Sequence, residues 1–163
     1  MILKYSILNG ALELLPQSVS TLAIIPLQMK MVYRIGKTFG YELDRKHITD
    51  LLATFGVGLT SQYVEEIGRK LLGGLLGKMG GGLLGGLGRQ ATGSAMAFAT
   101  TYAIGQIAKR YYASGRTLDT NILKEAFQSL LGEGRALQSR YAGEIQERSR
   151  TIDTKELLSL VKR

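Results

Sequence analysis

Apolar positions recur at threes and fours along almost the whole chain, the period of amphipathic helices. From Ile2 to about Leu15, Ile7, Leu8, Leu12 and Leu15 keep helical spacing, and Pro16 marks a break or the first turn of the next helix. Between Ser18 and Phe39 a stripe of Val19, Leu22, Ile25, Met29, Val32, Ile35 and Phe39 faces away from Lys30, Arg34 and Lys37. It predicts an amphipathic helix kinked at Pro26 and ended by Gly40. Asp44 is placed to cap a helix carrying His47, Leu51, Leu52 and Phe55, and a further helix is predicted over roughly Ser61 to Leu72. Ser114-Gly115 reads as a helix exit. Thr117 or Asp119 then caps a long helix from about Thr120 to Ser149, with Ile122, Ala126, Leu130, Leu131, Leu137, Tyr141 and Ile145 on one side and Gly132 and Gly134 weakening its middle.

Asp153-Thr154-Lys155-Glu156 opens a last short helix containing Leu157, Leu158, Leu160 and Val161, too short to be stable alone. With two prolines and no run of strand character, the pattern predicts an all-α helical bundle. Residues 1–150 form its single domain, and 151–163 a C-terminal helix that packs on it or docks on a neighbouring subunit.

Leu71 to Ala108 departs from this pattern. Gly73, Gly77, Gly81 and Gly85 recur every four residues, and beyond the polar pair Arg89-Gln90 so do Ala91, Ala95, Ala99 and Ala103. Two small-residue ridges with a polar break predict a tightly packed helical hairpin over 71–108. The nine glycines between Leu71 and Gly88 cost a helix about 9 kcal/mol relative to alanine. Such a segment is helical only if another backbone packs closely against it, or if a bilayer forbids unpaired backbone groups. Three readings follow: a hairpin packed in the protein core or between subunits, a hairpin in or on a bilayer, and a glycine-rich linker. Each arm spans roughly 27 Å as a helix, enough for a thin hydrocarbon layer. Arg69, Lys70, Lys109 and Arg110 would then face phosphates, with Tyr111 and Tyr112 at the interface. Lys78 near mid-depth and Arg89 at the tip argue against insertion.

Charge and composition narrow the chemistry. The formal charge of +8 over 163 residues favours anionic lipid or an acidic partner, but no concentrated basic run marks a specific nucleic-acid site. The absence of cysteine and the single His47 dispose of thiol catalysis and the usual zinc sets. Gly36-Lys37-Thr38 ends like a phosphate-binding loop, yet Met31 stands where its first glycine is required. Gly86-Leu87-Gly88 imitates a dinucleotide fingerprint inside an apolar repeat. His47 near Asp44 and Asp50 reads as a surface histidine. No catalytic set or cofactor site emerges, and a non-enzymatic protein is expected. The N-terminal residues lack the pattern of a secretory signal, which makes a cytoplasmic location the expectation, peripheral to the inner membrane or inserted in it through the hairpin.

LLPQSVSTLAIIPLQMKMVYRIGKTFGYEL, followed later by AFATTYAIGQIAKRYYASGRTLD, resembles the bacterial YcjF-like domain, a domain of unknown function, over roughly Leu14 to Leu137. The resemblance implies a helical module of the kind that accompanies GTPases and is in several cases membrane-associated. Gln17, Ser18 and Ser20 stand where that family usually carries an acidic residue. The reading that results is a self-associating scaffold or membrane-remodelling protein at a cytoplasmic membrane surface, a homo-oligomer held by the glycine ridge and touching anionic lipids. The alternative is a soluble regulatory module that binds a separate GTPase.

Overall fold

The structure is a computed structural model that describes residues 1–15, 17–54 and 85–162. Among them are six α-helices and no strand: α1 (Ile2–Leu12), α2 (Gln17–Thr38), α3 (Arg45–Thr54), α4 (Gly85–Ala113), α5 (Thr120–Thr151) and α6 (Thr154–Lys162). The all-α bundle expected from the periodicity is what forms.

Local signals set the helix ends. Gly40, at φ +84°, closes α2 with its own N–H donating to the Lys37 carbonyl and that of Tyr41 to the Gly36 carbonyl, the paired bonds of a Schellman motif. Gly115 at φ +71° and Arg116 at φ +66° end α4 in the same way, through Gly115 N–H to Tyr112 and Arg116 N–H to Tyr111. Arg116 takes the left-handed conformation without being glycine, and its guanidinium sits 5.9 Å from the centroid of the Tyr41 ring. Asp44 caps α3 by accepting from the His47 N–H at 2.8 Å, and Asp119 caps α5 by accepting from the Asn121 N–H at 2.6 Å.

α4 is the central element, enclosed by α1, α2 and α5. Gly10 faces Ser94 and Phe98 while Ile2 faces Gly105, so α1 runs antiparallel to α4. Gln28 meets Thr101 and Gly36 meets Tyr112, so α2 runs parallel to it. Tyr102 meets Glu133 and Phe98 meets Tyr141, so α5 returns antiparallel. The core along α4 is Phe98, Ala99, Ala103, Ile104, Ile107 and Ala108, all fully buried. Among the described residues no helix is long and apolar enough to cross a membrane.

Several expectations need correction. Arg89-Gln90, expected at a hairpin tip, lies inside α4, which is helical from Gly85 onward. The other arm, with Gly73, Gly77 and Gly81, lies outside the described residues, as do the predicted helix over Ser61 to Leu72, Phe55, Arg69 and Lys70. On α2 the buried side runs through Ala23, Leu27, Met31, Val32 and Ile35, leaving Ile25 44 % exposed. Phe39 is exposed as well, and Met29 is half-buried. The apolar residues of α2 encircle most of the helix, so periodicity alone allows more than one stripe. Packing against α1, α3, α4 and α6 selects the one observed. On α5, Leu123 and Phe127 take the place expected for Ile122, which is 55 % exposed. Tyr112, expected at a lipid interface, is buried against Tyr41, with ring centroids 5.5 Å apart.

Burial pushes the Tyr112 phenol up to about 12, with the neighbouring Tyr111 adding to the shift. A phenol whose folded pKa exceeds its unfolded value near 10 contributes stability that is present below pH 10 and lost as the pH rises through 12. Alkaline unfolding in that window should cost on the order of 2–3 kcal/mol through this group. Tyr112→Phe should remove that part of the loss, as read by urea titrations at pH 9 and pH 11.5.

Candidate functional site

Small side chains on α4 let neighbouring backbones come close. A Cβ added at Gly134 of α5 would lie 2.9 Å from the Ala99 Cα and 3.1 Å from its carbonyl oxygen, so the two backbones touch with nothing between them. At Gly10 of α1 a Cβ would sit 3.4 Å from the Ser94 carbonyl, and the Ser94 hydroxyl donates to the Gly10 carbonyl at 2.8 Å. The alanine ridge therefore finds its close neighbours in α1 and α5 of the same chain. Ala99 belongs to that contact, Ala103 is fully buried, and Ala95 is half-buried. Gly85 and Ala91 lie in α4, whereas Gly73, Gly77 and Gly81 fall outside the described residues.

Beside this contact lies a polar core that periodicity does not reveal. Asn9 Nδ2 of α1 and Gln28 Nε2 of α2 donate to the same Thr101 Oγ1 of α4, at 2.9 and 3.1 Å, and all three side chains are buried. Asn9 Oδ1 has no partner among the described residues. The trio ties three helices into one register, because Asn9 reaches Thr101 only while the adjacent Gly10 rests on Ser94.

Two of the recesses on the outside are lined by described residues. One, of about 270 Å³, lies between α3, the end of α4 and the start of α5, and is lined in part by His47, Asp50, Tyr111, Tyr112 and Arg116. His47 Nδ1 stands 2.7 Å from Asp44 Oδ1 in an exposed pair. The His47 backbone N–H, then its ring, holds the Asp44 carboxyl below its usual range. This is a helix cap with a surface histidine attached. Among the described residues no cluster of three His, Cys, Asp or Glu could hold a metal ion.

The other recess, of about 400 Å³, is a groove among α1, α2, α5 and α6. α6 is fixed beside it by the buried Leu157, by Lys30 Nζ donating to the Leu160 carbonyl, and by Arg148 pairing with Glu156 at 2.6 Å. Ile7, Leu8 and Leu160 give the groove an aliphatic lining, and Lys4, Arg34, Arg148 and Glu144 stand around it. Tyr5 lines it too, 8 % exposed; burial raises its phenol pKa, and the nearby Arg34 charge pulls it back. Nothing in local order announces this groove, since Lys4, Arg34 and Arg148 sit on three separate helices. The one trace was the departure of Lys4 and Arg34 from otherwise apolar runs.

Of the cations expected to face phosphates, Lys109 and Arg110 are exposed in the last turns of α4. The chain matches no protein-family model, and no curated protein or solved structure matches it.

Proposed function

We propose that the protein is a non-enzymatic helical scaffold that attaches to the cytoplasmic surface of an anionic membrane and self-associates there. The observation that supports attachment is the mixture of exposed large apolar side chains and cations on α2 and α6. Ile25 and Tyr33 on α2 stand with Lys37, and Leu158 on α6 stands with Lys155 and Lys162, all of them exposed. Apolar anchors flanked by lysine and arginine are the composition of helices that lie in the headgroup layer. Lys109 and Arg110 add charge, each basic group near an anionic surface contributing about 1 kcal/mol. Since α4 is enclosed by protein, attachment through the described residues uses these outer surfaces and not a buried hairpin.

Self-association rests on the remaining ridge, Gly73, Gly77 and Gly81, whose four-residue spacing suits a close helix pair between copies. Flotation with vesicles containing phosphatidylglycerol tests the first part. Binding should fall as salt rises from 50 to 500 mM and should drop about thirtyfold or more in Lys109→Glu/Arg110→Glu. Binding that is indifferent to both would overturn surface attachment. Gly77→Leu/Gly81→Leu should return the protein to monomer in analytical ultracentrifugation; unchanged assembly would remove the glycine ridge from the interface.

A further inference from the structure

We infer that the groove among α1, α2, α5 and α6 is a binding site for a single-chain anionic amphiphile, an alkyl carboxylate or phosphate with one linear apolar tail. Its volume of about 400 Å³ falls within the range of small-molecule sites, roughly 300–1,000 Å³. The lining divides into two kinds of surface. Ile7, Leu8 and Leu160 are aliphatic and branched, suited to methylenes and offering no ring on which a base could stack. Lys4, Arg34 and Arg148 bring three positive charges against two carboxylates, Glu144 and the Glu156 that pairs with Arg148, a positive surplus that favours an anion.

The polar end is available for a ligand. Arg148 is engaged with Glu156, but among the described residues Lys4 and Arg34 form no ion pair. The Tyr5 side chain is more than nine-tenths buried, lines the groove within the field of Arg34, and has no hydrogen-bond partner for its hydroxyl among the described residues. The hydroxyl at the edge of this buried ring is free to donate a hydrogen bond to an anionic head held by Arg34 and Lys4. Arg34 supplies the charge and the planar fork, Tyr5 one neutral donor, and Leu8 with Leu160 the wall for the tail. The site does not depend on membrane attachment, because it would take one molecule from solution as well as from a bilayer.

The experiment titrates the full-length protein with octanoate, decanoate and dodecanoate below their micelle concentrations, using calorimetry. Affinity should rise about fourfold per methylene buried. Dodecyltrimethylammonium, with the same tail and the opposite charge, should not bind. Arg34→Gln should weaken dodecanoate about tenfold or more and Tyr5→Phe by a smaller factor, with unchanged melting temperatures excluding a folding defect. A second arm measures whether the protein draws a fluorescent single-chain phosphate lipid out of vesicles. Extraction together with dodecanoate binding assigns the bilayer as a source, and dodecanoate binding alone assigns free amphiphile. The proposal is overturned if the cationic amphiphile binds as well as dodecanoate, if Arg34→Gln and Tyr5→Phe leave affinity unchanged, or if dodecanoate does not bind. Because monomeric ligands read this site and intact vesicles read the outer surface, either proposal can fail without the other.

Discussion

Thr101→Val should destabilise the protein by about 3 kcal/mol although it changes almost no volume. Its hydroxyl oxygen is the acceptor for two buried amide donors, from Asn9 at 2.9 Å and Gln28 at 3.1 Å. Valine keeps the branched shape and removes the acceptor, so both N–H groups lose their partner inside the core. Each loss costs roughly 1–3 kcal/mol, offset in part by the easier burial of a methyl group. In a domain of this length that lowers Tm by about 6–12 °C. Asn9→Leu should cost less, since it removes one of the two bonds and also the Asn9 Oδ1 atom that has no partner. The combination Asn9→Leu/Gln28→Met/Thr101→Val should recover most of the lost stability, because an apolar trio of similar shape leaves nothing unsatisfied. Calorimetric melting of the four proteins checks the whole series. A triple variant no more stable than Thr101→Val would mean that packing and not polar satisfaction governs this part of the core.

What the sequence revealed and what it hid follow from the range of the forces involved. Gly40, Asp44, Gly115 and Asp119 act on backbone groups within a few residues of themselves, so their roles at helix ends were readable from local order. The existence of the helices was readable for the same reason. Which face of α2 turns inward was not, because Leu27, Met31 and Ile25 are equivalent until other helices choose among them. Gln28 was hidden more deeply. An amide in an apolar helix is ordinarily solvated, and its burial makes sense only beside Thr101, 73 positions away. The groove illustrates the same limit, assembled from four helices whose order in the chain says nothing of their adjacency.

Gly132 and Gly134 carry this point furthest, and with it the claim that α4 is packed by its own chain. In the sequence both look like weak places in a long helix. In the fold Gly132 has open space where a Cβ would go, while Gly134 rests on the Ala99 backbone. Gly132→Ala should therefore stabilise the protein by about 1 kcal/mol, the ordinary gain in helix propensity. Gly134→Leu gains similar propensity but must force α4 and α5 apart, and the opposing atoms are backbone and cannot rotate aside. The net loss should be about 3 kcal/mol or more, at the upper end of what overpacking costs. If α4 instead met lipid or a second copy of the chain through this face, α5 would not be pressed against Ala99 and the two glycines would behave alike.

The most direct measurement is thus the melting temperature of Gly132→Ala and Gly134→Leu against the parent protein, with and without anionic vesicles. The predicted result is a rise of roughly 2–4 °C for the first and a fall of about 6–12 °C for the second, in both conditions. Equal and small shifts for the two substitutions, or a fall for Gly134→Leu that vanishes on vesicles, would contradict the packing of α4 described above.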